Sequence, residues 1–138
     1  MVIFLKSTKG FDFNQDIFKD YPDKKYLKKL SKLNRMMIVY MVEDLVAGVI
    51  VLSKKDRFLK INLVLTHKYL RNRKIASALM KVVFNILNDD FSDTDVLYTV
   101  CTTKFDTSNY QSFLIKHGFT LSTIKANGEL VYTYAKSI

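Results

Sequence analysis

The sequence predicts an α/β (α+β) fold built on a mixed, mostly antiparallel sheet. Apolar, β-branched runs early in the chain indicate an antiparallel meander, and a long stretch with helical periodicity then leads to a further strand. A second helix and a final hairpin complete the order, which is typical of a sheet with one helical crossover. With 138 residues, 49% of them hydrophobic, the chain predicts a single domain over residues 1–138 with one core.

The first half of the chain supplies most of the predicted meander. Strands are expected at residues 2–5, 36–42, 45–52 and 58–65. A two-residue link at 43–44 predicts a hairpin, and residues 54–57 predict a polar turn. Residues 12–34 suggest one or two helices broken near Tyr21, because a proline restricts the residue that precedes it.

The second half alternates helices and strands. Apolar residues at helical spacing predict a long helix from about residue 73 to 87, followed by an acidic loop over 88–95. A strand at 96–101 and a helix at 107–117 come next. Strands at 119–124 and 130–134 flank Asn127 and Gly128, a pair typical of a tight hairpin turn.

Positive charge is concentrated in two blocks. The net charge is +9, and residues 54–81 contribute nine Lys or Arg against one acid. Residues 24–35 contribute six more basic residues without an acid. Each block could be a solvated surface, but the position of the first beside a helix start favours an anionic ligand.

Cysteine content and apolar runs indicate a cytoplasmic protein. Cys101 is the single cysteine, so it allows no internal disulfide or cysteine-rich metal site, and we expect it to be a small buried residue. The two histidines are too scattered to predict a metal site. The short apolar run at the start of the chain predicts neither a signal peptide nor a membrane helix.

The segment 69–80 (YLRNRKIASALM) predicts a phosphate-binding turn. It joins a strand to a helix, where the first backbone amides have no partner within the helix and the helix dipole is positive. Arg71, Arg73 and Lys74 add positive charge at this point. An anion is therefore expected at the start of the helix.

This turn resembles the signature of the GNAT superfamily of acyl-CoA-dependent N-acetyltransferases, Arg/Gln-x-x-Gly-x-Gly/Ala. Arg71 and Ala76 match its first and last positions, whereas Lys74 stands in place of the central glycine. Residues 113–119 (FLIKHGF) resemble a second segment of the family, which ends a helix in Gly-Phe. The resemblance implies a GNAT-like sheet of about six to seven strands with helices on both faces.

The resemblance also implies acetyl-CoA or another acyl-CoA as co-substrate, with no metal. Its pyrophosphate would lie on the backbone amides of Arg71, Asn72, Arg73, Lys74, Ile75, Ala76 and Ser77. The pantetheine arm would lie between the splayed strands that end at Leu65 and Cys101, near Asn109. A backbone amide near Leu65 would polarise the thioester carbonyl.

The catalytic groups that the family often uses are replaced here. Leu114 stands where many members have a tyrosine acid, and Lys60 and Asn62 stand where some have a glutamate base. Tyr110 lies one helical turn before Leu114 on the same face, so it is either the catalytic acid or an aromatic residue that packs at the helix start. The only two glutamates, Glu43 and Glu129, lie off the central strand.

The resulting hypothesis is transfer of an acetyl group from acetyl-CoA to a primary amine. If Lys24, Lys28, Lys32 and Arg35 face the acceptor, they favour an acidic small molecule, an acidic protein segment or an RNA-borne amine over a cationic one. Two alternatives stay open: a nucleic-acid-binding or regulatory module, in which Tyr69 and Tyr26 stack on bases, and a silent domain that binds a partner through a strand edge. The sequence allows a monomer or a homodimer.

Overall fold

The computed structural model describes residues 1–89 and 93–135, without the side chains of 71–73. In these residues the strands are β1 Val2–Leu5, β2 Met36–Val42, β3 Leu45–Lys55, β4 Phe58–Thr66, β5 Val96–Cys101, β6 Thr120–Ile124 and β7 Leu130–Ala135. The α-helices are α1 Lys24–Lys32, α2 Ile75–Asp89 and α3 Ser108–Lys116. Short 3₁₀ helices form at Asp16–Phe18 and Lys68–Arg73.

The strands form one sheet in the order β1-β2-β3-β4-β5-β7-β6. β4 and β5 pair in parallel, whereas the pairs β1–β2, β2–β3, β5–β7 and β6–β7 are antiparallel. A parallel pair requires a long crossover between its strands, and α2 is part of that crossover. The predicted fold class, a mixed and mostly antiparallel sheet with helices, is confirmed.

Several predicted boundaries differ from the structure: those of β4, β6, β7 and α3 differ by one residue, and three others differ by more. β3 continues to Lys55 instead of ending at 52, and Lys54 Nζ donates hydrogen bonds to Asp56 O and Asp93 Oδ2, each at 2.9 Å. α2 begins at Ile75 rather than at residue 73, because Lys74 adopts a left-handed conformation that no α-helix contains. The helix also takes in residues 88 and 89 of the predicted acidic loop, of which 90–92 lie outside the described residues.

Contacts divide the chain into two compact units. The first unit comprises Met1–Ser53 and Leu63–Val83. Its core includes Leu30 of α1, Met37 of β2, Val49 and Val51 of β3, and Leu63 of β4, each at most 4% exposed. Burial of each such aliphatic side chain contributes about 1.5–3 kcal/mol, so this core holds the β2–β4 strands and α1 in place.

The second unit comprises Lys54–Asn62 and Phe84–Ile138. Its parallel ladder runs from the pair Phe58↔Val96 to the pair Ile61↔Thr99. The rings of Phe84, Phe119 and Tyr134 pack together, with centroids 4.6 Å apart for Phe84 and Tyr134 and 5.7 Å apart for Phe119 and Tyr134. Gly118 has a φ of 90° just after α3, as predicted for a left-handed residue that ends the helix.

The helices within residues 1–89 and 93–135 do not include a candidate membrane span. None of them combines the length and the apolar character that a bilayer-crossing helix requires.

Candidate functional site

The turn between β4 and α2 is anchored by a buried histidine. The His67 backbone N–H donates to Ala47 O of β3 at 2.8 Å, and the Leu70 N–H donates to His67 O at 2.8 Å. His67 is only 5% exposed, and its Nδ1 accepts from the Tyr69 N–H at 3.4 Å. The histidine therefore caps the 3₁₀ helix Lys68–Arg73 and fixes its start against β3.

Lys74 occupies the left-handed region of the backbone, with φ 57° and ψ 29°. Glycine adopts this conformation without strain, so the structure gives a reason for the glycine that the GNAT signature has at this position. α2 starts directly afterwards: the Ala78 N–H donates to Lys74 O at 3.1 Å. The amides of Ile75 and Ala76 precede this first helical bond, at the positive end of the helix dipole.

Close contact between α2 and β3 positions the start of the helix. A Cβ atom added to Gly48 would lie 2.6 Å from Ile75 Cγ2 and 2.9 Å from Leu79 Cδ1. These distances are shorter than van der Waals contact, so only glycine lets the first turn of α2 approach the strand this closely. Gly48 is not among the predicted site residues, although a lone glycine within an apolar strand is a signal of close backbone approach.

The predicted phosphate-binding residues of this turn share one unit of the molecule. Lys74 is exposed, Ile75 is 2% exposed and packs inward, and Ala76 and Ser77 are partly buried. Leu65, at the end of β4, packs against the core of the same unit. The side chains of Arg71, Asn72 and Arg73 lie outside the described residues, although their backbone belongs to the 3₁₀ helix.

An exposed aromatic residue lies on the outer surface of the turn. The side chain of Tyr69 is 78% exposed, and Lys68 Nζ lies 5.0 Å from its ring centroid. Lys68 also pairs with Asp20 at 3.4 Å, and this carboxylate raises the pKa of the lysine. Tyr69 thus offers a flat apolar surface beside a positive charge, a combination that suits a nucleobase or another aromatic ring.

Tyr110 lies in the second unit and is partly buried. Its hydroxyl oxygen is 2.8 Å from Thr99 Oγ1, which donates to Ile61 O at 3.2 Å. Because a threonine hydroxyl has one hydrogen, the tyrosine is the donor in the first of these bonds. The hydrogen bond fixes Tyr110 against β5. The other residue predicted on α3, Asn109, is exposed.

The remaining titratable candidates offer little for catalysis. Glu129 accepts from Asn127 Nδ2 at 2.9 Å, and this hydrogen bond lowers the pKa of its carboxyl, which makes it a weaker base. Cys101 is 2% exposed, as predicted, and burial raises the pKa of its thiol. In residues 1–89 and 93–135, no three His, Cys, Asp or Glu side chains come together as a metal site would require.

The basic block 24–35 divides in the structure. Lys24 and Lys28 line a cavity of about 570 Å³ on one side of α1, together with aromatic residues of the segment 11–18. Lys32 and Arg35, which belong to the same basic block, are not among its lining residues. Tyr26 is partly buried and packs against the core of the first unit.

Solved structures with a similar fold come from several bacteria. The chain is similar to a Desulfovibrio desulfuricans protein assigned to the GNAT family of acetyltransferases, with a TM-score of 0.79 and 11% identity over 98% of this chain and 99% of that one. It is similar to a GNAT family acetyltransferase from Elizabethkingia anophelis with acetyl-CoA bound, with a TM-score of 0.71 and 15% identity over 98% of each chain. It is also similar to the ribosomal-protein-S18-alanine N-acetyltransferase from Escherichia coli, with a TM-score of 0.75 and 10% identity over 100% and 96% of the two chains.

These likenesses establish the fold. No protein-family model and no curated protein matches the sequence. The chain has the fold of the GNAT acetyltransferases over nearly its whole length, which confirms the resemblance at the level of structure.

Proposed function

We propose that this chain is an N-acetyltransferase that transfers an acetyl group from acetyl-CoA to a primary amine. The observation that carries the proposal is the β4–α2 turn: Lys74 is left-handed where the GNAT signature has glycine, and α2 begins at the next residue. The acetyl-CoA bound to the Elizabethkingia anophelis protein of the same fold supports the choice of co-substrate.

The residues of the turn fit a diphosphate group. The amides of Ile75 and Ala76 lie at the positive end of the α2 dipole, and the exposed Lys74 adds a full charge beside them. Gly48 allows the helix start to lie directly on β3, so these amides are held rigidly. The sequence also predicts positive charge from the arginines at 71 and 73.

The reaction forms an amide N–C bond and breaks the thioester C–S bond. Acetyl-CoA supplies the activated acetyl group; the amine nitrogen loses a proton and the sulfur of the leaving thiolate gains one. We assign the polarisation of the carbonyl oxygen to a backbone amide near Leu65, at the end of β4. Orientation of the two reactants supplies part of the rate, and water is the proposed acceptor of the proton from the amine.

Tyr110 is the proposed general acid for the leaving thiolate. Its hydroxyl hydrogen is held by Thr99 in the described structure, so protonation of sulfur requires the hydrogen to leave Thr99. We expect Tyr110→Phe to lower the rate of CoA release with amine acceptors by about 10²-fold, the lower range for a general acid, and the free energy of unfolding by about 1 kcal/mol for the lost hydrogen bond.

A matched control distinguishes catalysis from packing in this test. Tyr98 is a partly buried tyrosine on β5, and Tyr98→Phe removes the same atom from the same unit. We expect its rate to stay within twofold of the parent, about 0.4 kcal/mol in barrier height. If Tyr110→Phe lowers the melting temperature but leaves the rate unchanged, Tyr110 is a packing residue and the acid must be sought elsewhere.

Thermal denaturation with acetyl-CoA tests the proposed function as a whole. A ligand at 100 times its Kd that binds only the folded state stabilises it by about 2.7 kcal/mol, so the melting temperature must rise with ligand concentration. Pantetheine, which lacks the pyrophosphate, is the control and should give no shift at the same concentration. Absence of a melting-temperature shift with acetyl-CoA would contradict the proposal. A shift without CoA release in the presence of primary amines would mean that the protein binds acetyl-CoA but does not transfer its acetyl group.

The exposed Tyr69 beside Lys68 favours one alternative, a nucleic-acid-binding module. Such binding must weaken steeply with salt, because it releases counterions from phosphates. A salt series with single-stranded RNA tests this alternative, and no measurable binding at low salt eliminates it.

A further inference from the structure

A cavity of about 570 Å³ lies between α1 and the segment 11–19. Its volume is within the range of about 300–1,000 Å³ that small-molecule sites occupy in proteins. All its lining residues belong to the first unit and lie between positions 11 and 31. The cavity is therefore a candidate site for a compound other than the acyl-CoA.

Aromatic rings form the apolar wall of this cavity. Phe11, Phe13 and Phe18 pack against one another with centroids 5.1–6.2 Å apart, and Leu27 of α1 adds an aliphatic surface. Phe11 and Phe13 are only partly buried, although their neighbour Phe18 is 2% exposed. The wall thus offers edges and faces of rings to an apolar ligand.

Two lysines of α1, Lys24 and Lys28, give the cavity lining a positive charge. Lys24 Nζ donates to Phe18 O at 2.7 Å and to Lys19 O, so its ammonium group is held at the cavity wall by carbonyls rather than by a carboxylate. Across the described ranges of the chain, Lys28 has no ion-pair partner. The third lining cation, Lys19, is neutralised by Asp16 at 2.6 Å.

The one acid that lines the cavity is already engaged. Asp12 Oδ1 accepts the Asn14 N–H at 2.8 Å, in a turn that also holds the Gln15 side chain on Asp12 O at 3.0 Å. One carboxylate thus faces two lysines without carboxylate partners, and the described part of α1 contributes five lysines and no acid. The charge of the cavity is complementary to an anion.

We propose that this cavity binds an amphipathic organic carboxylate, a compound with an aromatic or aliphatic body and one acidic group. The apolar body would lie on the three phenylalanines, and the carboxylate would be held by Lys24 and Lys28. Lys24 is fixed by its two carbonyl contacts, so little side-chain entropy is lost when it binds. Binding of the carboxylate at this cavity requires no acyl-CoA.

Calorimetry with a pair of ligands of opposite charge tests this proposal. In the absence of acetyl-CoA, naphthalene-2-carboxylate is titrated into the full chain and compared with the naphthalen-2-ylmethylammonium ion. We expect the carboxylate to bind at least about tenfold more tightly, a difference of 1.4 kcal/mol. Equal affinities, or no binding of the carboxylate, would overturn the proposal.

Variants on α1 locate the binding. Lys28→Glu reverses a lining charge, and we expect it to weaken carboxylate binding about tenfold. Lys25→Glu makes the same change on the same helix outside the lining and should alter the Kd less than about twofold. Ser31→Phe places a ring in the cavity and should abolish binding. Equal effects of the two charge reversals would mean that the carboxylate senses only the general charge of α1, which would refute the site.

Discussion

Gly48→Ala is expected to lower the melting temperature by roughly 4–10 °C and to weaken acetyl-CoA binding. The added Cβ would lie 2.6 Å from Ile75 Cγ2 and 2.9 Å from Leu79 Cδ1, so the first turn of α2 must move away from β3. Overpacking of this kind typically costs about 1–3 kcal/mol, and each kcal/mol lowers the melting temperature of a domain this size by a few degrees. Differential scanning calorimetry measures the loss directly.

The displaced helix should also affect the ligand. Ile75 begins α2, and its amide is one of those proposed to bind the pyrophosphate. A shift of the helix start therefore moves the donors, and the melting-temperature shift produced by acetyl-CoA should be smaller in Gly48→Ala than in the parent. Retention of the full ligand shift would show that the start of α2 is not part of the binding site.

A double variant tests whether the close approach is the cause. Ile75→Leu keeps the side-chain volume but removes the methyl group branched at Cβ, which is the atom nearest to the added Cβ. We expect Gly48→Ala with Ile75→Leu to be more stable than the sum of the two single effects, with a coupling of about 0.5 kcal/mol or more. Strict additivity would refute the steric explanation.

Strands and turns were predictable because their signals are local. The apolar runs gave β1, β2 and β5 with their observed ends, and Gly118 marked the end of α3. The extension of β3 was missed, because it carries lysines that resemble a polar turn. Lys54 can remain in the strand since its ammonium group contacts Asp93, which lies 39 residues further along the chain.

The site was predictable only in part because its geometry depends on contacts distant in sequence. Segment 69–80 indicated an anion, but the sequence does not show which element packs against Gly48 or that His67 is buried. The left-handed backbone at Lys74 is also hidden, since lysine rarely adopts it. The link between Tyr110 and Thr99 likewise depends on how α3 packs against β5.

Lys74→Glu is expected to weaken acetyl-CoA binding by about tenfold or more, measured by calorimetry at low salt. The exchange replaces a positive charge beside the α2 amides with a negative one. The glutamate therefore repels the phosphates that the lysine attracts. The difference in Kd between the parent and Lys74→Glu should become smaller at higher ionic strength, because the side chain at position 74 is exposed and salt screens its charge.

Two further variants assign this effect to position 74. Lys81→Glu makes the same charge change on an exposed residue of α2 about two turns away and should leave the Kd within about twofold. Lys74→Gly removes the charge but relieves the left-handed strain, so the protein should become more stable by about 0.5–1 kcal/mol while binding weakens less than in Lys74→Glu.

Comparison of the glycine and glutamate variants separates the charge of Lys74 from its backbone conformation. If lysine acts through its charge, affinity follows the order Lys, Gly, Glu at position 74, whereas unliganded stability is highest for glycine. If only the left-handed backbone conformation of residue 74 matters, the glycine variant binds acetyl-CoA most tightly, because glycine adopts this conformation at the lowest cost in free energy. An unchanged Kd in both variants at position 74 would place the pyrophosphate elsewhere, because a phosphate beside the Ile75 amide must respond to a charge reversal at the adjacent residue.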